Sequence, residues 1–86
     1  MSSIEIKMLY GSGTYDKFNG IIACVMENIK TDKVVSRLKE LKNDTTTIAG
    51  HPVSDFSLAA LDVLGIEKYQ GDDEGIKEII DSQFKF

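Results

Sequence analysis

Apolar and polar positions divide the chain into a few readable stretches. Ile4-Glu5-Ile6-Lys7-Met8-Leu9-Tyr10 alternates for four residues and then turns continuously apolar, the pattern of a strand entering a buried position in a sheet. Gly11-Ser12-Gly13 stops it. Thr14 and Asp16 then offer N-caps, and Phe18, Ile21, Ile22, Val25, Met26 and Ile29 recur at helical spacing, which predicts a helix over residues 15–30. Toward the end, Asp72-Asp73-Glu74 places acids where they suit a helix N-terminus, and Ile76, Ile79, Ile80 and Phe84 form an apolar stripe behind them.

The middle of the chain admits alternatives. Val34, Val35, Leu38 and Leu41 lie three and four apart, which favours a helix, although Val34, Ser36 and Leu38 would share one face of a strand. Residues 43–47 read either as a turn with a short strand or as the capped start of a brief helix through Ile48 and Ala49. Gly50-His51-Pro52 ends whichever forms, because a residue before proline is pushed out of the helical region. Two parses fit residues 53–71. One is a helix over Phe56–Leu64 with Phe56, Ala59, Ala60, Val63 and Leu64 on one face. The other is a strand over Ser57–Val63 that turns at Leu64-Gly65 and returns along Ile66–Gln70.

At 86 residues there is room for one domain, residues 1–86, with one modest core. A single cysteine, Cys24, excludes an intramolecular disulfide, and with a single histidine, His51, a Cys/His zinc site lacks ligands, so neither metal nor cofactor is expected. Cys24 sits in Ile21-Ile22-Ala23-Cys24-Val25-Met26, where an aliphatic setting makes a thiol inert. No apolar run reaches the roughly 18 residues of a membrane span, and the start lacks a basic flank with an apolar stretch behind it; the expectation is a cytoplasmic protein with no membrane partner. Ten basic against fourteen acidic residues give a net charge of −4, which argues against nucleic acid as the main partner.

With the strand parse, the order becomes strand, glycine turn, helix, variable segment, strand, strand, helix. In that order Gly11-Ser12-Gly13-Thr14-Tyr15-Asp16-Lys17 follows the first strand, Ser57 precedes Leu58-Ala59-Ala60-Leu61-Asp62, Gly65 makes a turn, and Gly71 precedes the closing Glu74-Gly75-Ile76-Lys77-Glu78-Ile79-Ile80. The chain thus resembles the small thioredoxin-like domains of the redox-active disulfide and glutaredoxin-like families. The resemblance implies an α/β (or α+β) fold, a small central sheet flanked by two or three helices. Thr14 and Lys17 stand where that family carries its two cysteines, and Ser57 stands for its cis-proline, so dithiol–disulfide chemistry is excluded here. What the resemblance leaves is a groove for extended ligands, with Ser12, Thr14, Tyr15, Lys17 and Ser57 as its contact residues.

The expected function is therefore a non-catalytic binding or adaptor domain for a protein or peptide partner, or for a second copy of itself. Two alternatives rest on other residues. Gly11–Thr14 before a helix, with Lys17 adding charge, could cradle a phosphate, although it matches neither glycine-rich phosphate motif. Asp55-Phe56-Ser57-Leu58 is similar to the Asp-Ser-Leu attachment site of acyl carrier proteins, with Phe56 splitting the pair. His51 beside Pro52 reads as a solvated loop histidine, and the Asp72–Glu74 cluster as helix capping. Tyr15, Tyr69 and Phe84 to Phe86 are the aromatics expected to be partly exposed at an interface.

Overall fold

A computed structural model describes residues 3–85; Met1-Ser2 and the terminal aromatic Phe86 lie outside the described residues. The element order is α1 (Ser3–Leu9), α2 (Thr14–Met26), α3 (Asp32–Glu40) running into a 3-10 turn (Leu41–Asn43), β1 (Thr47–Ile48), β2 (His51–Pro52), α4 (Val53–Val63) and α5 (Glu74–Glu78), which continues as a π-helical turn (Ile79–Gln83). The molecule is mostly helical, with one two-stranded antiparallel sheet among the described residues.

A small sheet beside several helices is present, as the expected mixed class requires, but it is not built from the expected strands. The stretch expected as its first strand is helix α1, the 57–63 stretch lies within helix α4, and residues 66–70 follow a helix C-cap with no strand pairing. The thioredoxin-like arrangement rested on those strands and loses their support. α1 explains why the pattern misled. Seven residues make fewer than two helical turns, so a period of 2 and a period of 3.6 fit them about equally well. Its inward pair is the fully buried Leu9 with Ile6 packed beside it, spaced i, i+3, while Ile4 stays exposed.

Helical spacing was the sound guide elsewhere. α2 buries Gly20, Ile21, Cys24 and Val25, but Met26, read as core, is 60% exposed. α2 is closed just past its end by Asn28, whose positive φ of 55° lets Ile29 N–H reach the Cys24 carbonyl (2.9 Å) and Asn28 N–H the Val25 carbonyl (3.1 Å), a Schellman closure. Thr31 caps α3 by accepting from Val34 N–H, and Val34 and Leu38 face inward. Asp73 caps α5 by accepting from Gly75 N–H (2.8 Å) and Ile76 N–H (3.2 Å), as the acidic cluster implied. Phe84, expected near a surface, is buried at 3% exposure; the π-helical turn before it carries its ring to Phe56, centroids 6.3 Å apart.

α4 occupies the centre. Val53, Phe56, Ala59, Ala60 and Leu61 are all fully buried, and Phe18 packs edge-on against Phe56 with centroids 4.9 Å apart. The short hairpin exists to start this helix. Pro52 in the N-cap position offers no side-chain cap, so Val53 N–H donates to the Thr46 carbonyl (2.7 Å) and Ser54 N–H to the Asp44 carbonyl (2.9 Å). Ala49 and Gly50 turn the hairpin, both at positive φ.

α1 and α2 approach closely at Gly20. A Cβ on Gly20 would lie 2.6 Å from Leu9 Cα and 2.9 Å from the Met8 carbonyl carbon, both backbone atoms that cannot swing aside. Gly20→Ala should therefore force the two helices apart and destabilise the protein by about 1–3 kcal/mol. Urea unfolding checks this, with Asn19→Ala on the exposed side of the same helix as the control. An unchanged midpoint for Gly20→Ala would show that the helices do not cross at this residue.

Candidate functional site

Sequence reasoning gathered Ser12, Thr14, Tyr15, Lys17 and Ser57 into one contact surface. The structure brings the first three together and separates the other two. Ser12 is exposed in the turn joining α1 to α2, Thr14 opens α2 half-buried, and the Tyr15 ring is 71% exposed. Lys17 points away from them, its Nζ 2.7 Å from Asp44 Oδ2, with only 16% of its side chain exposed. Ser57 lies in the core with no exposed surface, and its hydroxyl donates to the Leu38 carbonyl, tying α4 to α3.

Ser57 is thus corrected from a contact residue to a core residue. A small hydroxyl on α4 lets α3 approach closely, and the α3 carbonyl satisfies the proton that burial would otherwise strand. The expected groove beside it has no counterpart among the described residues, where no cavity opens. The alternative carrier reading fails on the same residue, since a fully buried serine presents nothing to a modifying enzyme.

The turn at Gly11–Gly13 is built of backbone and one carboxylate. A Cβ at Gly11 would sit 3.0 Å from Asp16 Cβ and 3.1 Å from the Met8 carbonyl oxygen, so the chain passes close under Asp16. The Asp16 carboxylate therefore overhangs the turn where a phosphate would have to sit. With Lys17 committed to Asp44, the phosphate reading loses its cation and faces an anion instead. Asp44 is well held: besides Lys17 it accepts from Thr46 N–H (3.0 Å) and from the Thr46 hydroxyl. The Lys17 ammonium first, then these Thr46 bonds, holds its carboxyl down to about 2.

Other candidate groups are equally engaged. Cys24 is fully buried, and desolvation, with Glu5 and Glu27 adding to it, pushes its thiol up to about 11. That supports the inert core thiol expected from its neighbours. His51 is corrected from a solvated residue to a half-buried one. Its ring meets Phe56 edge-on at 5.6 Å, its Nδ1 lies 3.7 Å from Asp55 Oδ2, and it packs on Gly75 at the start of α5. Burial first, and then Asp73, raises the Asp55 carboxyl above its ordinary value. Among the described residues no cluster of three or more His, Cys, Asp or Glu could hold a metal ion.

One residue of the surface was missed. Tyr10, read as the buried end of a strand, is 44% exposed and stands across the turn from Tyr15. Its hydroxyl donates to the Lys33 carbonyl (2.8 Å), and the Arg37 guanidinium lies 5.2 Å from its ring centroid. Arg37 also donates to the Leu9 carbonyl (2.9 Å) and the Gly11 carbonyl (3.3 Å), closing the C-terminus of α1. The helical spacing of Lys7 and Tyr10 was the available signal, hidden by the strand reading. Comparison with known proteins finds no matching family model, curated protein or solved structure.

Two outcomes follow from these contacts. Asp44 is held below its ordinary value of 3.8, so it contributes stability that is fully present above that pH and is lost as pH falls through about 2. Acid unfolding followed from about pH 5 to pH 2 should lose that contribution in Asp44→Asn, together with about 1–2 kcal/mol of stability at neutral pH; a mutant with the parent's acid profile would contradict the ion pair. Incubation of the folded protein with a phosphopantetheinyl transferase should add no mass at Ser57. A modified Ser57 would mean that α4 is not seated as described.

Proposed function

We propose that the chain is a non-catalytic binding or adaptor domain for a protein or peptide, with its contact surface on the α1–α2 hairpin. The observation that carries this reading is where the large exposed apolar side chains lie. Ile4, Tyr10, Tyr15 and Met26 are on the hairpin, and only Val63 among those exposed in the described residues is elsewhere. Exposed aromatic side chains supply interface anchors because they bury much area for few frozen torsions, and a flexible methionine moulds itself to a partner's surface.

Ser12 and Thr14 add hydroxyls between the two tyrosines, and these retain their expected place in the surface. Lys17 and Ser57 leave it. The thioredoxin-like form leaves the reading as well, since the hairpin of two helices takes the place of its strand and helix. The chemistry-bearing side chains support a binding role over catalysis: Ser57, Cys24 and Lys17 are each turned inward or paired. A cytoplasmic setting belongs to the same proposal, supported by an unpaired buried cysteine and by the finding that no described helix is long and apolar enough to cross a membrane.

A displayed random-peptide library selected on the folded protein tests the reading. Selected peptides should shift backbone amides of residues 10–16, and Tyr15→Ala should weaken them about tenfold or more while leaving the thermal midpoint within a degree or two. Peptides that map to other faces, or a library that yields no binder, would overturn it.

A further inference from the structure

Tyr10 combines exposure with restraint. Nearly half its surface is open, yet the Lys33 carbonyl fixes its hydroxyl and Arg37 lies over its ring. Arg37 is itself held by two backbone carbonyls and by Glu40 (3.2 Å). A ring ordered before binding gives up little side-chain freedom on contact, which favours it as an anchor.

The surroundings of that ring have a sign. Ile4, Lys7 and Tyr10 follow one another at three-residue intervals on the outer side of α1, with Ile4 68% exposed. Lys7 and Lys33 are exposed and, among the described residues, form no ion pair; Glu40 partners Arg37 alone. Lys7 lies between Ile4 and Tyr10 on that row, and Lys33 is the residue whose carbonyl holds the Tyr10 hydroxyl, so two unpaired lysines stand beside the exposed apolar side chains in a chain whose net charge is −4. We infer that this corner docks an acidic segment of a partner protein, whose apolar side chains meet Ile4 and Tyr10 while its carboxylates face Lys7 and Lys33. The inference rests on the binding-domain reading and adds the partner's chemistry. Apolar contact supplies the affinity, and the cations supply steering and selectivity.

The probe is a short synthetic peptide alternating glutamate and leucine, titrated into the isotope-labelled protein, with a glutamine-for-glutamate peptide as the neutral control. The acidic peptide should shift amides of residues 7–11 and 33–37. Its affinity should fall about tenfold or more between about 50 and about 300 mM sodium chloride, and the neutral peptide should bind at least about tenfold more weakly. Lys7→Glu with Lys33→Glu, both at exposed positions, should remove the preference for the acidic peptide without changing the thermal midpoint. Equal binding of the two peptides, shifts confined to other faces, or an indifferent double variant would overturn the inference. So would tighter binding of a single-stranded oligothymidylate to the same residues, or a salt-sensitive dimer that covers them. A neutral peptide bound at the tyrosines would sink the acidic partner and leave the binding domain standing; no binding of any peptide would sink both.

Discussion

A helix enclosed by its neighbours must have its ends and its buried polar atoms satisfied by them, and α4 sets that condition for the whole chain. Every residue of α4 except Val63 is at least partly buried. Its first two amides find the Thr46 and Asp44 carbonyls, and its end is closed by Gly65 at φ 75°, where Ile66 N–H reaches the Leu61 carbonyl. Its one buried hydroxyl finds the Leu38 carbonyl. The two-stranded hairpin, with so little sheet in it, makes sense as the device that brings the Asp44–Thr46 segment to the head of α4. Lys17 then secures Asp44 from α2. The helix supplies Val53, Phe56 and Leu61 to the core, and the large side chains that enclose them come from around it: Phe18 from α2, Ile79 and Phe84 from the C-terminal turns, Leu38 from α3.

The α1–α2 hairpin is attached to this centre at a few places. α1 is short and would not hold as an isolated helix. It is held by the close approach at Gly20, by burial of Leu9 and by the Arg37 clamp on its terminal carbonyls. The same clamp that completes α1 also fixes Tyr10 at the surface. Fold and candidate surface therefore share a side chain, and a loss at Arg37 would reach both.

The legibility of the chain follows from element length and from how many neighbours each element has. α2 was readable because thirteen residues show more than three turns of a one-sided stripe, and α5 because its acidic start and its isoleucines agree. α4 was readable only as one of two parses. Burial on several sides removes the polar face that tells a helix from a strand, and the resemblance to thioredoxin-like domains favoured the strand. Met26 and Val63 continued apolar stripes but turn to the outer face of their helices, while Leu64, the next residue after Val63, is buried. Phe84 looked terminal and therefore exposed, whereas a π-helical turn directs it inward. No pattern in sequence announces that turn.

The candidate site shows the same division. Tyr15 was legible because a tyrosine at the second position of a helix that begins beside a glycine turn has little to pack against. Ser57 was not, because polarity marks a residue as a surface candidate until the carbonyl that receives its hydroxyl is known. Lys17 was misplaced for a related reason: its partner Asp44 is 27 residues away, and only the fold joins them. Each of these errors moved a polar side chain outward, and each correction returned it to a structural bond. What remains of the expected contact surface is Ser12, Thr14 and Tyr15, joined by Tyr10 from the end of α1.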